Sequence, residues 1–138
     1  YLTDALQYMV DQGRRLLTVR VGGWYDCGTL HTLLETNEHL LRNGRSLVPP
    51  RTPDVVLHEP VRIEAGVTMR NATIGPNVTV AEGSVVVGST VRHAIVGRDV
   101  RLHGCTVEPA IIGDGQILEG RVLCDSIMGG GKVAVIRP

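Results

Sequence analysis

The chain has 138 residues, the size of one ordinary domain or two small ones, and its 14 Lys and Arg balance 14 Asp and Glu. That neutrality gives no electrostatic case for nucleic acid or an anionic membrane surface, and no apolar run is long enough to cross a membrane or to read as a secretory signal. Phenylalanine is absent, yet 43% of residues are hydrophobic, mostly aliphatic, and 17 are glycine, which suits thin aliphatic layers with many corners.

The chain begins at Tyr1, inside what reads as a helix start, and is taken as a piece of a longer polypeptide. Thr3 or Asp4 can cap a first helix carrying Ala5, Leu6, Met9 and Val10 on one face, and Gly13 ends it. Arg15–Val21 reads as a strand with Leu17, Val19 and Val21 on one side, broken by Gly22-Gly23. A second helix follows from about Thr29. Its face is Leu30, Leu33, Leu34, Asn37, Leu40 and Leu41, and Gly44 is its terminator. The proline-rich segment 45–59 reads as a linker between a unit at 1–44 and another at 60–138.

The second unit repeats. Ala72-Thr73-Ile74-Gly75, Ala94-Ile95-Val96-Gly97, Ala110-Ile111-Ile112-Gly113 and Ser126-Ile127-Met128-Gly129 end on glycines 22, 16 and 16 residues apart. Aliphatic anchors follow the first three glycines at five residues (Val80, Leu102, Leu118) and at ten (Val85, Val107, Leu123). The unit is therefore a coil of 5+5+6 residues with one extra side in the first interval. This is the pattern of a mainly β solenoid with three flat sides, whose coils stack about 4.8 Å apart around a continuous aliphatic column. A β-sandwich would explain alternation but not a period held at 16 twice. Gly129-Gly130-Gly131-Lys132 does not continue the anchors and reads as a capping end. It also lacks the full pattern of a phosphate-binding P-loop.

The stretch with most chemical content is Gly23-Trp24-Tyr25-Asp26-Cys27-Gly28-Thr29, between the strand and the second helix. Two readings compete. Asp26 and Thr29 can satisfy free N–H groups at the helix start, or Asp26 can be a hard oxygen ligand for Mg²⁺ in a loop whose glycines let substrate approach. Cys27, Cys105 and Cys124 have no metal-ligand spacing and read as reduced thiols of a cytoplasmic protein.

Taken together, Tyr1-Leu2-Thr3-Asp4-Ala5-Leu6-Gln7, the W-x-D-x-G-T run at Trp24–Thr29 and Leu33-Leu34-Glu35-Thr36-Asn37 resemble the end of the catalytic domain of sugar-phosphate nucleotidyltransferases. That family includes the glucose-1-phosphate thymidylyltransferases and related NDP-sugar pyrophosphorylases. Pro60-Val61-Arg62-Ile63 and Ile74-Gly75-Pro76-Asn77-Val78 resemble the opening coils of the left-handed parallel β-helix that follows the catalytic domain in its long members. The resemblance implies that Asp26 helps hold a catalytic Mg²⁺ together with an aspartate from earlier in the chain. It implies that Gly23, Trp24 and Gly28 shape the substrate pocket, and that the substrates are an NTP and a sugar 1-phosphate. The nucleotide loop, the first metal aspartate and the sugar-phosphate lysine of that family are absent here, so this piece is expected to be inactive alone.

Two other readings compete with it. One is a hexapeptide-repeat acyltransferase using His93 or His103 as general base, although His58, His93 and His103 are better placed on solvated faces. The other is a solenoid serving only self-association as a homo-oligomer or regulation. Thymidylyl transfer to glucose 1-phosphate, giving dTDP-glucose, is the first choice of reaction, and guanylyl transfer to mannose 1-phosphate the next.

Overall fold

A computed structural model of the chain describes residues 1–129 and the strand Lys132–Val135. Helix α1 runs over Leu2–Asp11 with Tyr1 at its N-cap, so it starts two or three residues earlier than a cap at Thr3 or Asp4 would place it. Its end is as expected. Gly13 takes φ +72°, its N–H donates to the Val10 carbonyl and that of Arg14 to Met9, which occupies the last free carbonyls.

Arg15–Val21 is not a strand: residues 14–27 carry no regular structure, and every residue from 1 to 29 is exposed. The alternation is present in the sequence, but a strand exists only through its neighbours, and this segment pairs with nothing among the described residues.

Helix α2 spans Leu30–Leu40 with Thr29 as its N-cap, as the sequence predicts. The Thr29 hydroxyl accepts from the Thr32 N–H (3.2 Å) and the Thr32 hydroxyl oxygen accepts from the Thr29 N–H (3.0 Å), a reciprocal cap. The turn Leu41–Arg45 closes the helix, with Gly44 at φ +84°. Leu30 and Leu41 are buried and Leu33, Leu34 and Asn37 half-buried, so the predicted face is the packed one except at Leu40, which is exposed.

The rest is the expected mainly β fold, a solenoid of about five coils. One face stacks β2 (Val61–Ile63), β5 (Val78–Val80), β8 (Ala94–Val96), β11 (Ala110–Ile112) and β14 (Ser126–Gly129) in parallel. A second holds β3 (Thr68–Arg70), β6 (Val85–Val87), β9 (Arg101–His103) and β12 (Ile117–Glu119). The third holds β1 (Val55–Leu57), β4 (Ala72–Ile74), β7 (Thr90–Val91), β10 (Thr106–Val107) and β13 (Val122–Leu123). The final strand, β15 (Lys132–Val135), reverses and pairs antiparallel with β14, which caps the first face as the broken repeat suggested. Gly130 and Gly131, part of that glycine run, lie outside the described residues.

Register explains the uneven first interval. Val78 stacks on Ala94 and Ala94 on Ala110, a step of 16, whereas Val61 stacks on Val78, a step of 17. The additional residue lies in the corner from the third face to the first. Gly75-Pro76-Asn77 separates β4 from β5, but only Arg92-His93 separates β7 from β8. The 22-residue spacing then reflects a change of face, because Gly75 follows a third-face strand and Gly97 a first-face strand. Val80, Leu102, Val107, Leu118 and Leu123 point into the column as expected, but Val85 does not: its neighbour Val86 is the buried one.

Segment 45–59, expected as a linker, also joins the solenoid. It supplies β1, which pairs with β4, and Leu47 bridges to the edge strand β2 by exchanging hydrogen bonds with Val61 and Ile63 (2.9 Å each).

The column is almost wholly aliphatic. Its few hydroxyls tie one coil to the next. Ser84 donates to the Gly97 carbonyl (2.8 Å) and accepts from the Val100 N–H (3.0 Å), while Ser89 donates to Val87 (2.8 Å) and accepts from Cys105 (2.9 Å). A buried hydroxyl satisfied on both sides stabilises the stack rather than weakening it.

Candidate functional site

The loop at 23–29 lies against the outer side of α2. Tyr25 stacks on His39 with ring centroids 4.3 Å apart, and its hydroxyl is 3.2 Å from His39 Nδ1. The Cys27 thiol donates to the Thr36 hydroxyl (3.6 Å). These contacts fix the middle of the loop to the helix and leave Trp24 87% exposed.

Asp26 Oδ1 accepts the Gly28 N–H (3.2 Å) in a local turn, and Oδ2 accepts no hydrogen bond among the described residues. Since Thr29 caps α2, helix capping does not account for Asp26. Gly28 lies two residues on; a Cβ built there would stand 3.4 Å from Asp26 Oδ1, an ordinary van der Waals contact. Gly23 sits under the Tyr25 ring, whose atoms would be 3.0 to 3.4 Å from a Cβ. The structure thus brings Asp26 and Gly28 together, sets Gly23 beside Tyr25 and leaves Trp24 apart in solvent.

The fit to Mg²⁺ is that of one ligand and not a site. Among the described residues no group of three or more His, Cys, Asp or Glu side chains could hold a metal. An exposed carboxylate with one open oxygen is a normal single contribution, because Mg²⁺ takes one or two carboxylates and completes its shell with water and phosphate oxygens.

Helix α2 docks on the first face over β5 and β8. Asn37, read as one position of an otherwise leucine-rich stripe, makes the polar contact of that interface. Its Nδ2 donates to the Asn77 carbonyl (3.3 Å) and its Oδ1 accepts from the Thr79 hydroxyl (2.6 Å). The loop that carries Asp26 is thereby held to the solenoid through one helix.

Of the histidines expected on solvated faces, His58 and His103 are exposed, but His93 is not open. It is half-buried in a corner with φ +41°, and its Nδ1 is 3.2 Å from Asn77 Nδ2. The sequence reading missed Asn77 as a buried polar residue. The signal was there, since positions 77 and 93 are one coil apart and occupy the same corner.

No family model matches the chain. Its curated relatives are sugar-phosphate nucleotidyltransferases, as the motifs implied, and the match falls on their C-terminal region. It is 30% identical to a glucose-1-phosphate thymidylyltransferase from Streptomyces griseus over 122 aligned positions, which take in 75% of this chain and 34% of the relative. It is also 30% identical to a glucose-1-phosphate adenylyltransferase from Bacillus cereus (strain Q1), covering 70% of this chain and 32% of the relative. The chain therefore spans about a third of the length of the relatives it matches. Among solved structures it is similar to a perosamine N-acetyltransferase variant from Caulobacter crescentus in complex with CoA and GDP-perosamine. The TM-score is 0.51 at 26% identity, over 93% of this chain and 64% of that one.

Proposed function

We propose that this chain is the C-terminal part of a sugar-1-phosphate nucleotidyltransferase, in which Asp26 contributes to a Mg²⁺ site and the solenoid serves assembly or regulation. The observation that carries the reading is the Trp24–Thr29 loop, with its uncommitted Asp26 carboxylate oxygen, in a chain whose relatives catalyse that transfer.

In the proposed reaction an oxygen of the sugar 1-phosphate attacks the α-phosphorus of an NTP. The bond to the β-phosphate breaks, and pyrophosphate leaves with its electron pair. Such a transfer is accelerated by positioning and charge neutralisation, the latter supplied by the metal when bound. Asp26 would hold one of the metal's coordination positions, and Gly23, Trp24 and Gly28 would shape the sugar-phosphate side. With one metal carboxylate and no nucleotide loop, residues 1–138 alone are proposed to be inactive. The preferred product is dTDP-glucose, formed in the cytoplasm.

The test is Asp26→Asn in the full-length enzyme. The expected outcome is loss of Mg²⁺-dependent pyrophosphate release with the circular dichroism spectrum unchanged. Retained turnover would remove Asp26 from the mechanism.

A second reading, acyl transfer, is favoured by the likeness to the N-acetyltransferase. Against it, the His93 Nδ1 is engaged with Asn77, and His103 is exposed with no side-chain hydrogen bond among the described residues. Calorimetric titration with acetyl-CoA separates the two: no heat of binding is expected, and saturable binding would favour the acyltransferase.

A further inference from the structure

Asp26 belongs to an exposed stretch, residues 14–27, without regular structure. Such a segment keeps one geometry only where contacts outside it offset the conformational entropy it would otherwise regain. Two such contacts flank Asp26. On one side the Tyr25 ring stacks on His39, and on the other the Cys27 thiol donates to the Thr36 hydroxyl (3.6 Å). His39 and Thr36 are three positions apart and so are neighbours on the surface of α2. The Thr36 hydroxyl itself donates to the Thr32 carbonyl (2.8 Å), which leaves its oxygen to accept the thiol. The hydrogen bond of Asp26, by contrast, is to its own loop.

The His39 contact is the more directional of the two. Asn43 Nδ2 donates to the His39 carbonyl (2.7 Å), which fixes the end of the Asn43 amide that faces the ring. The same nitrogen is 3.3 Å from His39 Nδ1, and an amide nitrogen can only donate. Nδ1 is therefore an acceptor, and the Tyr25 hydroxyl, 3.2 Å away, is its donor. Stacking orients the Tyr25 ring, and the hydrogen bond pins its far end to the helix.

We propose that His39 is a positioning residue for the Asp26 site: by accepting from Tyr25, it holds the adjoining carboxylate in the geometry that a Mg²⁺ ion needs. The proposal rests on the nucleotidyltransferase reading. Affinity for the metal is reduced by the fraction of loop conformers that present the carboxylate wrongly. Releasing Tyr25 enlarges that fraction. The effect falls on the Mg²⁺ requirement and leaves the rate at saturating Mg²⁺ nearly as it was.

The test uses the full-length enzyme, with Asp26→Asn as reference. His39→Phe keeps an aromatic ring against Tyr25 and loses the acceptor. His39→Asn loses the ring and restores an acceptor oxygen near the place of Nδ1. Tyr25→Phe, alone and combined with His39→Phe, completes a double-mutant cycle. Two quantities are read: the Mg²⁺ concentration for half-maximal pyrophosphate release, and amide hydrogen exchange of peptides covering 24–29, which needs neither metal nor substrate. His39→Phe should raise the Mg²⁺ requirement about three- to tenfold, the usual effect of one hydrogen bond, with kcat nearly unchanged and faster exchange over 24–29. Tyr25→Phe should match it, the double variant should be no worse than either, and His39→Asn should lie nearer the unmodified enzyme. With Asp26→Asn inactive, an unchanged Mg²⁺ requirement or unchanged exchange in His39→Phe would overturn the proposal alone. So would additive effects in the double variant, or His39→Asn no better than His39→Phe. Retained turnover in Asp26→Asn is a different result, and it overturns the underlying reading and the proposal with it.

Discussion

At the scale of single residues, Asn37 carries a role that its position in an apolar stripe conceals. Removing its amide leaves the Thr79 hydroxyl and the Asn77 carbonyl without their partner at a half-buried interface, so Asn37→Ala should cost about 1–3 kcal/mol. Amide hydrogen exchange checks the location of the loss: α2 should exchange faster while strands β8 and β11 keep their protection. A second prediction concerns Cys124. Local desolvation, the hydrogen bond it donates to Asp125 (3.5 Å) and the charges of Asp125 and Glu108 raise its thiol above the ordinary value. Because the thiolate is the nucleophile, a raised thiol reacts more slowly near neutral pH. Asp125→Asn removes the neighbouring charge and tolerates the native φ of +45°, so alkylation of Cys124 by iodoacetamide should accelerate. An unchanged rate would show that Asp125 does not hold the thiol protonated.

At the scale of elements, the corners are more demanding than the sides. Gly75 has φ +101°, and a Cβ there would overlap the His58 carbonyl of the preceding coil, which is backbone and cannot turn away. Gly104 has a similar sign of φ, +62°, but open space around it. Gly104→Ala should therefore cost about 1–2 kcal/mol from backbone strain alone, and Gly75→Ala distinctly more; urea unfolding of the two variants makes the comparison. The same corner marks the limit of what the sequence displays. The period of 16 was legible because each coil repeats its aliphatic anchors, and α2 was legible because Thr29 and its apolar face lie next to one another in sequence. Val86 was misread as Val85 because Gly75 follows a third-face strand and Gly97 a first-face strand, so a count of ten from each glycine ends at different places in the coil. Strand β1 was hidden among prolines, since its only claim to be a strand is the pairing with β4. Arg15–Val21 fails for the opposite reason, having the pattern without a partner. Asp26 stands out by its motif alone, because among the described residues no cluster of metal-ligating side chains surrounds it.

For the whole molecule, the aliphatic column is the source of stability, and its middle differs from its end. Val80 is wholly buried on a strand between two others, while Leu118 lies on the last strand of its face among the described residues and is 6% exposed. Val80→Asp should cost several kcal/mol and abolish the cooperative thermal transition, whereas Leu118→Asp should lower the melting temperature and leave a folded remainder. The regular stacking also has a consequence for length. Ala94, Ile95 and Val96 lie directly beneath Ala110, Ile111 and Ile112, so removing residues 94–109 would join His93 to Ala110 with every later strand still above an equivalent one. Deleting 13 residues instead would bring strands of one face over the corners of another. The chain can thus change size only in quanta of one coil. A 16-residue deletion should melt cooperatively at a lower temperature, and a 13-residue deletion should not fold, which circular dichroism on the pair would decide. Where insertions are accepted, they would arrive as whole coils or as loops thrown outward at the corners, and the flat faces would keep their count.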